Sequence, residues 1–94
     1  MASSIRRPVK LLYFASAKEF LGNLPSEDYA LDDSIKTGAD LIKSVKQRHA
    51  DNTNFIAILD RSMIAINDEY VYELATVVLK GGEEVAIIPP ISGG

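Results

Sequence analysis

Apolar residues along this chain fall in short bursts, separated by Gly, Pro, Asn and Asp, and the spacing within the bursts changes along the chain. Val9-Lys10-Leu11-Leu12-Tyr13-Phe14-Ala15 reads as a strand. Val9, Leu11, Tyr13 and Ala15 share one face, and Lys10, Leu12 and Phe14 the other. A strand with apolar residues on both faces is central in its sheet or presents a sticky surface. Ser16-Ala17-Lys18-Glu19 has capping-box spacing, which predicts a short helix through Phe20 and Leu21 that stops at Gly22. Asn23-Leu24-Pro25 is a turn. Tyr29 and Leu31 alternate with Asp28, Ala30 and Asp32, which predicts a second strand antiparallel to the first.

The period then becomes helical. Thr37 is a good N-cap, and Asp40 sits where the helix dipole favours negative charge. Leu41, Ile42 and Val45 form the apolar stripe, and His49 at the far end is expected to help satisfy the last carbonyls. Asp51 to Asn54 reads as a loop. Phe55-Ile56-Ala57-Ile58-Leu59 is apolar throughout, so periodicity does not settle its conformation. Met63 to Ile66 reads as a strand ending at Asn67-Asp68, with Met63 in the core. Tyr70 to Leu79 has no clear period. Lys80 to Glu83 is a turn, and Glu84 to Ile88 is the last strand, stopped by Pro89 and Pro90. The order predicts an α+β domain with its main helix on one face of a mixed sheet. We expect a single domain over 1–94, with a loose extension at 1–8, a globular body at 9–88 and a protruding tail at 89–94.

Composition narrows the chemistry. The 94 residues carry a net charge of −3, which argues against nucleic acid as a partner, because phosphate neutralisation needs clustered Lys and Arg. There is no Cys, so disulfides, thiol nucleophiles and thiolate metal ligands are excluded. No apolar run approaches a membrane span, and the N-terminal stretch lacks the pattern of a secretory leader, so a cytoplasmic protein is expected. His49 is the single histidine, and with no second His or Cys it suggests no metal site. The acidic pairs Glu27-Asp28, Asp32-Asp33 and Glu83-Glu84 fit solvated strands and turns better than acid–base chemistry.

The tail Pro89-Pro90-Ile91-Ser92-Gly93-Gly94 is the chemically distinctive element. Fully extended, it would reach about 20 Å past the last strand. Pro-Pro stiffens its root, and Gly-Gly leaves the tip free of side chains. With Gly94 as the terminal residue, its carboxylate can be threaded into another protein's narrow active site. A carboxylate is a poor electrophile and needs activation, for example as an acyl-adenylate. The chain has no G-x-x-x-x-G-K-[ST] phosphate loop, so the activation is expected from a separate ATP-using enzyme.

The run Gly82-Glu83-Glu84-Val85-Ala86-Ile87-Ile88-Pro89-Pro90-Ile91-Ser92-Gly93-Gly94 closely resembles the end of the small, sulfur-carrying subunits of molybdopterin synthase, a ubiquitin-like carrier family. Val9 to Ala15 with Glu19-Phe20-Leu21-Gly22, and Ala65-Ile66-Asn67, resemble that family's opening strand and helix and its middle strand. Gly81-Gly82-Glu83-Glu84 departs from the family's frequent Asp-Gly-Asp-Glu but keeps a turn followed by acid. The resemblance implies a ubiquitin-like β-grasp fold. It also implies that Gly94 is adenylated by an activating enzyme, converted to a thiocarboxylate, and donates sulfur to a cyclic pterin precursor to form the dithiolene. The partner implied is the large synthase subunit, in a heterotetramer, and no cofactor is implied on the chain itself. Leu12, Phe14, Ala86 and Ile88 are candidates for a docking patch on the sheet face away from the helix. A carrier for thiazole synthesis or transfer-RNA thiolation, a ubiquitin-like protein modifier, and a binding module whose terminus is never activated stand as alternatives.

Overall fold

The computed structural model describes residues 6–90. Five strands and three helices follow in the order β1 (Val9–Tyr13), α1 (Ala15–Glu19), β2 (Ser26–Tyr29), α2 (Gly38–Arg48), α3 (Thr53–Arg61), β3 (Met63–Ile66), β4 (Glu69–Val71) and β5 (Glu84–Ile88), with a 3-10 turn at Leu74–Thr76 before β5. The strands form one mixed sheet in the order β2-β1-β5-β3-β4. β1 pairs antiparallel with β2 and parallel with β5, while β3 is antiparallel to both β4 and β5. This is an α+β fold, as the order of elements predicts, and of the β-grasp type that the resemblance implies.

The alternation in β1 decides the layering. Val9, Leu11 and Tyr13 are buried on one face, opposite Val85 and Ile87 of β5. Leu41 and Val45 of α2 and Phe55 and Leu59 of α3 close the core over the same face. The Tyr13 and Phe55 rings meet edge to face with centroids 6.0 Å apart. The Tyr13 hydroxyl donates to Glu27 Oε2 at 2.6 Å. Burial first, and that bond second, push the phenol far above its ordinary pKa and keep it protonated.

Local chemistry sets the element ends. Thr37 caps α2: its Oγ1 accepts from Asp40 N–H at 3.2 Å, and Asp40 Oδ2 accepts from Thr37 N–H and Lys36 N–H. Those backbone donors lower the Asp40 pKa from the usual carboxylate range. Asn52 Oδ1 accepts from Phe55 N–H and caps α3, so Thr53 and Asn54 are helical and not loop. The ambiguous run Phe55 to Leu59 is therefore helix. α1 begins two residues earlier than its capping pattern suggests: Phe14 occupies the cap position without a side-chain bond, and Ser16 lies inside the helix.

The segment before β1 is also tied down where it is described. Arg6 donates to the carbonyls of Leu79 at 3.1 Å and Asp32 at 2.7 Å, and Gly82 N–H donates to Pro8 O. Residues 6–8 are thus part of the body, contrary to the loose extension expected there, because their hydrogen bonds go to the loops they cross. Gly81 has φ +103°, and a Cβ on it would meet Arg7 O at 2.7 Å. Only glycine lets that strap pass so close.

Candidate functional site

Two neighbouring features make up the candidate site: the outgoing end of β5 and the sheet face opposite the helices. β5 lies at the centre of the sheet, bonded on both sides, so Pro89 and Pro90 follow directly from a strand held by both neighbours. Ile88 ends β5 opposite Met63. Pro89 is still buried and Pro90 is exposed. The protrusion therefore starts no earlier than Pro90, one residue later than expected, because Pro89 packs into the body after it has left the ladder. Ile91, Ser92, Gly93 and Gly94 lie outside the described residues.

The register assembles the second feature. Leu12 stands opposite Ala86, one step past the core pair Leu11–Val85, so both point away from the helices. Phe14 follows Tyr13, which pairs with Ile87, and so it lies beside Ile88 on this outer face. Leu12, Ala86 and Ile88 are half-buried, and Phe14 is 47% exposed. All four predicted patch residues share one face, next to the tail root. The Phe55–Leu59 segment does not cover them, since it packs on the core side.

Two residues extend the patch. Met63 pairs with Ile88, and Ala65 pairs with both Ala86 and Tyr70. Met63 is 42% exposed and Tyr70 55%, both on the outer face. The expectation of Met63 as core is therefore corrected. Its side chain belongs to the phase of the outward Ala65, while Ile64 and Ile66 point into the core. The signal that would have found Met63 and Tyr70 is the β3–β5 register, which no local pattern encodes. At its far end the outer face turns polar: Lys10 sits between Asp28 of β2 and Glu84 of β5. The arrangement is an apolar surface bordering the end of β5, of the kind that marks a partner site.

Other predicted features stay apart from this site. The His49 ring packs on Phe55, with centroids 5.0 Å apart, and its Nε2 has no hydrogen-bond partner among the described residues. It is the His49 backbone N–H that donates to Val45 O, so the side chain does not serve the helix carbonyls as expected. Asp32 accepts from Ser34 through both hydroxyl and backbone N–H, which lowers its pKa. It closes a turn remote from the patch. Among the described residues no group of His, Asp and Glu is placed to hold a metal ion. No helix there is long and apolar enough to cross a membrane.

A β-grasp body with an apolar outer face and a tail leaving its central strand defines a class of ubiquitin-like carriers, and the comparisons with known proteins agree. The model of the ThiS family matches residues 11–94, and the chain belongs to that family. A molybdopterin synthase sulfur carrier subunit from Homo sapiens is 38% identical, over 92% of this chain and 93% of that protein. A Pyrococcus furiosus structure assigned as molybdopterin converting factor, subunit 1, is 29% identical with TM-score 0.70, over 90% of this chain and 99% of that one. A chain from the Helicobacter pylori complex of subunits 1 and 2 of molybdopterin-converting factor has TM-score 0.61 at 23% identity, over 92% and 97%, and shares the fold.

Proposed function

We propose that this chain is the sulfur-carrying small subunit of a molybdopterin synthase, acting in the cytosol, with the carboxylate of Gly94 as its reacting group. The observation that carries the reading is the continuity of the family match through the tail, residues 11–94, onto a strand at the centre of the sheet. The names of the curated relatives and of the Pyrococcus furiosus structure support molybdopterin synthesis over the thiazole, transfer-RNA and modifier alternatives.

The cycle has three steps. An activating enzyme transfers AMP from ATP to the Gly94 carboxylate, with loss of pyrophosphate. A sulfur nucleophile displaces the AMP and leaves a thiocarboxylate. The tail, Pro89 to Gly94, then enters the large subunit, and the thiocarboxylate sulfur attacks the cyclic pterin precursor. Water supplies the oxygen that restores the carboxylate. Groups that bind the pterin and move protons belong to the large subunit, so the isolated chain carries sulfur but does not turn over. The patch Leu12, Phe14, Ala86 and Ile88, extended by Met63 and Tyr70, is the docking surface. A complex of subunits 1 and 2 in a structural neighbour supports a large-subunit partner for this chain.

Deleting Gly94 tests the reading. The truncated chain should melt like the wild type, because the core cluster among the described residues ends at Ile87, and should accept no AMP from the activating enzyme. Unchanged adenylation after the deletion would show that another group is the acceptor.

A further inference from the structure

We propose that Met63 is an oxidation site that governs docking: a hydroperoxide converts its thioether to the sulfoxide, and the large subunit then no longer holds the outer face. The proposal rests on the docking reading above. The chain has no Cys and two Met, and Met1 lies outside the described residues. Met63 is therefore the one sulfur side chain among the described residues. It is 42% exposed at the start of β3, where Ile64, Ala65 and Ile66 are all buried. Oxidation follows access, so a reagent in solution reaches Met63 in the free chain.

Its place in the sheet makes that oxidation consequential. Met63 pairs with Ile88, the last residue of β5 before Pro89 and Pro90. Around it on the outer face lie Ile88, Ala65 and, past Ile88, Phe14, none with a hydrogen-bond donor in its side chain. A thioether suits such a surface, since it is apolar, flexible and polarizable. Ser62 beside it already donates its hydroxyl to Ile58 O at 2.7 Å. Tyr70 does bring a hydroxyl to this face, but it stands opposite Ala65, not Met63.

The step transfers one oxygen atom. The sulfur lone pair attacks a peroxide oxygen, and the S–O bond forms as the O–O bond breaks. The proton of the attacked oxygen passes to the leaving oxygen, which departs as water, or as an alcohol from an organic hydroperoxide. Sulfur loses two electrons and the peroxide gains them. The product is polar and a strong hydrogen-bond acceptor. In the free chain water reaches it from the open side and from a cleft of about 230 Å³ that Met63 lines with Ser62, Ile64, Val71, Tyr72 and Leu74. The fold therefore tolerates the change. Pressed against a partner's apolar surface, the same oxygen is taken out of water without a donor, and the penalty falls on binding.

The test uses the full-length chain with Gly94 as the carboxylate, so that no carried sulfur competes for oxidant. It is treated with hydrogen peroxide, the peroxide is removed, and one added oxygen at Met63 is verified in the tryptic peptide of residues 62–80. Calorimetry against a large subunit should show binding about tenfold weaker than for the untreated chain, with Tm nearly unchanged. Methionine sulfoxide reductases of both epimer specificities should restore it. Met63→Leu, of similar volume and without sulfur, should bind like the wild type before and after peroxide. Excess large subunit should slow the oxidation of Met63. Equal binding of oxidised and untreated chains, binding lost together with the fold, or equal peroxide sensitivity of Met63→Leu would overturn the proposal and leave the docking reading standing. An untreated chain that does not bind a competent large subunit would overturn both.

Discussion

At the scale of single residues, glycine and caps carry the sharpest consequences. Gly81→Ala places a methyl within 2.7 Å of the Arg7 carbonyl at a φ of +103°. We expect it to cost about 1–3 kcal/mol by chemical denaturation. Gly22 also has positive φ, yet nothing lies within 4 Å of a Cβ there, so Gly22→Ala should cost less, about 1 kcal/mol. Thr37→Ala removes the acceptor for Asp40 N–H and should cost about 1 kcal/mol. Asp40 adds a pH dependence. Its carboxylate is favoured by folding, since Lys36 and Thr37 donate to it, so its folded pKa lies below the unfolded value. The stabilisation is complete above the unfolded carboxylate pKa of about 3.9 and is lost as pH falls through the lower folded value. The Tm gap between wild type and Asp40→Ala should be constant near neutrality and narrow in acid. A gap that widens on acidification would contradict this assignment. The cap at Thr37 could be read from sequence because its partner is three residues away. The strap at Gly81 could not, because its partner, Arg7, is distant along the chain.

Among the elements, α3 shows what the sequence withheld. Five consecutive apolar residues fit a buried strand or a helix equally well, and Asn52 as a cap looked like one more polar loop residue. The deciding contact is tertiary: Phe55 is fully buried against Tyr13 and His49. Phe55→Ala should therefore cost about 3–5 kcal/mol, measured by urea denaturation. β4 and the 3-10 turn were hidden for a related reason. Tyr70 to Leu79 carries no period because most of it is exposed, and its shape follows from packing on the start of α2, where Gly38 N–H donates to Val77 O. By contrast α2 and β5 were plain, since each has a clear apolar stripe or face with a sharp stop, and β1 was legible as a strand although it ends at Tyr13, before the expected Ala15.

For the whole molecule, the sheet order brings residues from both ends of the chain together, and that creates the apolar outer face proposed for docking. Leu12 and Phe14 were visible as apolar residues in outward phase, and the strand register then joined them to Ala86 and Ile88. Met63 and Tyr70 needed the register of β3, which depends on long-range pairing. Phe14→Asp should leave Tm nearly unchanged while weakening large-subunit binding by at least 2 kcal/mol, about thirtyfold, by calorimetry. The central claim is that Gly94 carries the sulfur. Its most direct test is a single-turnover reaction of the mass-verified Gly94 thiocarboxylate with a competent large subunit and the cyclic pterin precursor. We predict dithiolene product, together with return of Gly94 to the carboxylate by intact mass. Intact thiocarboxylate and no product would contradict the assignment.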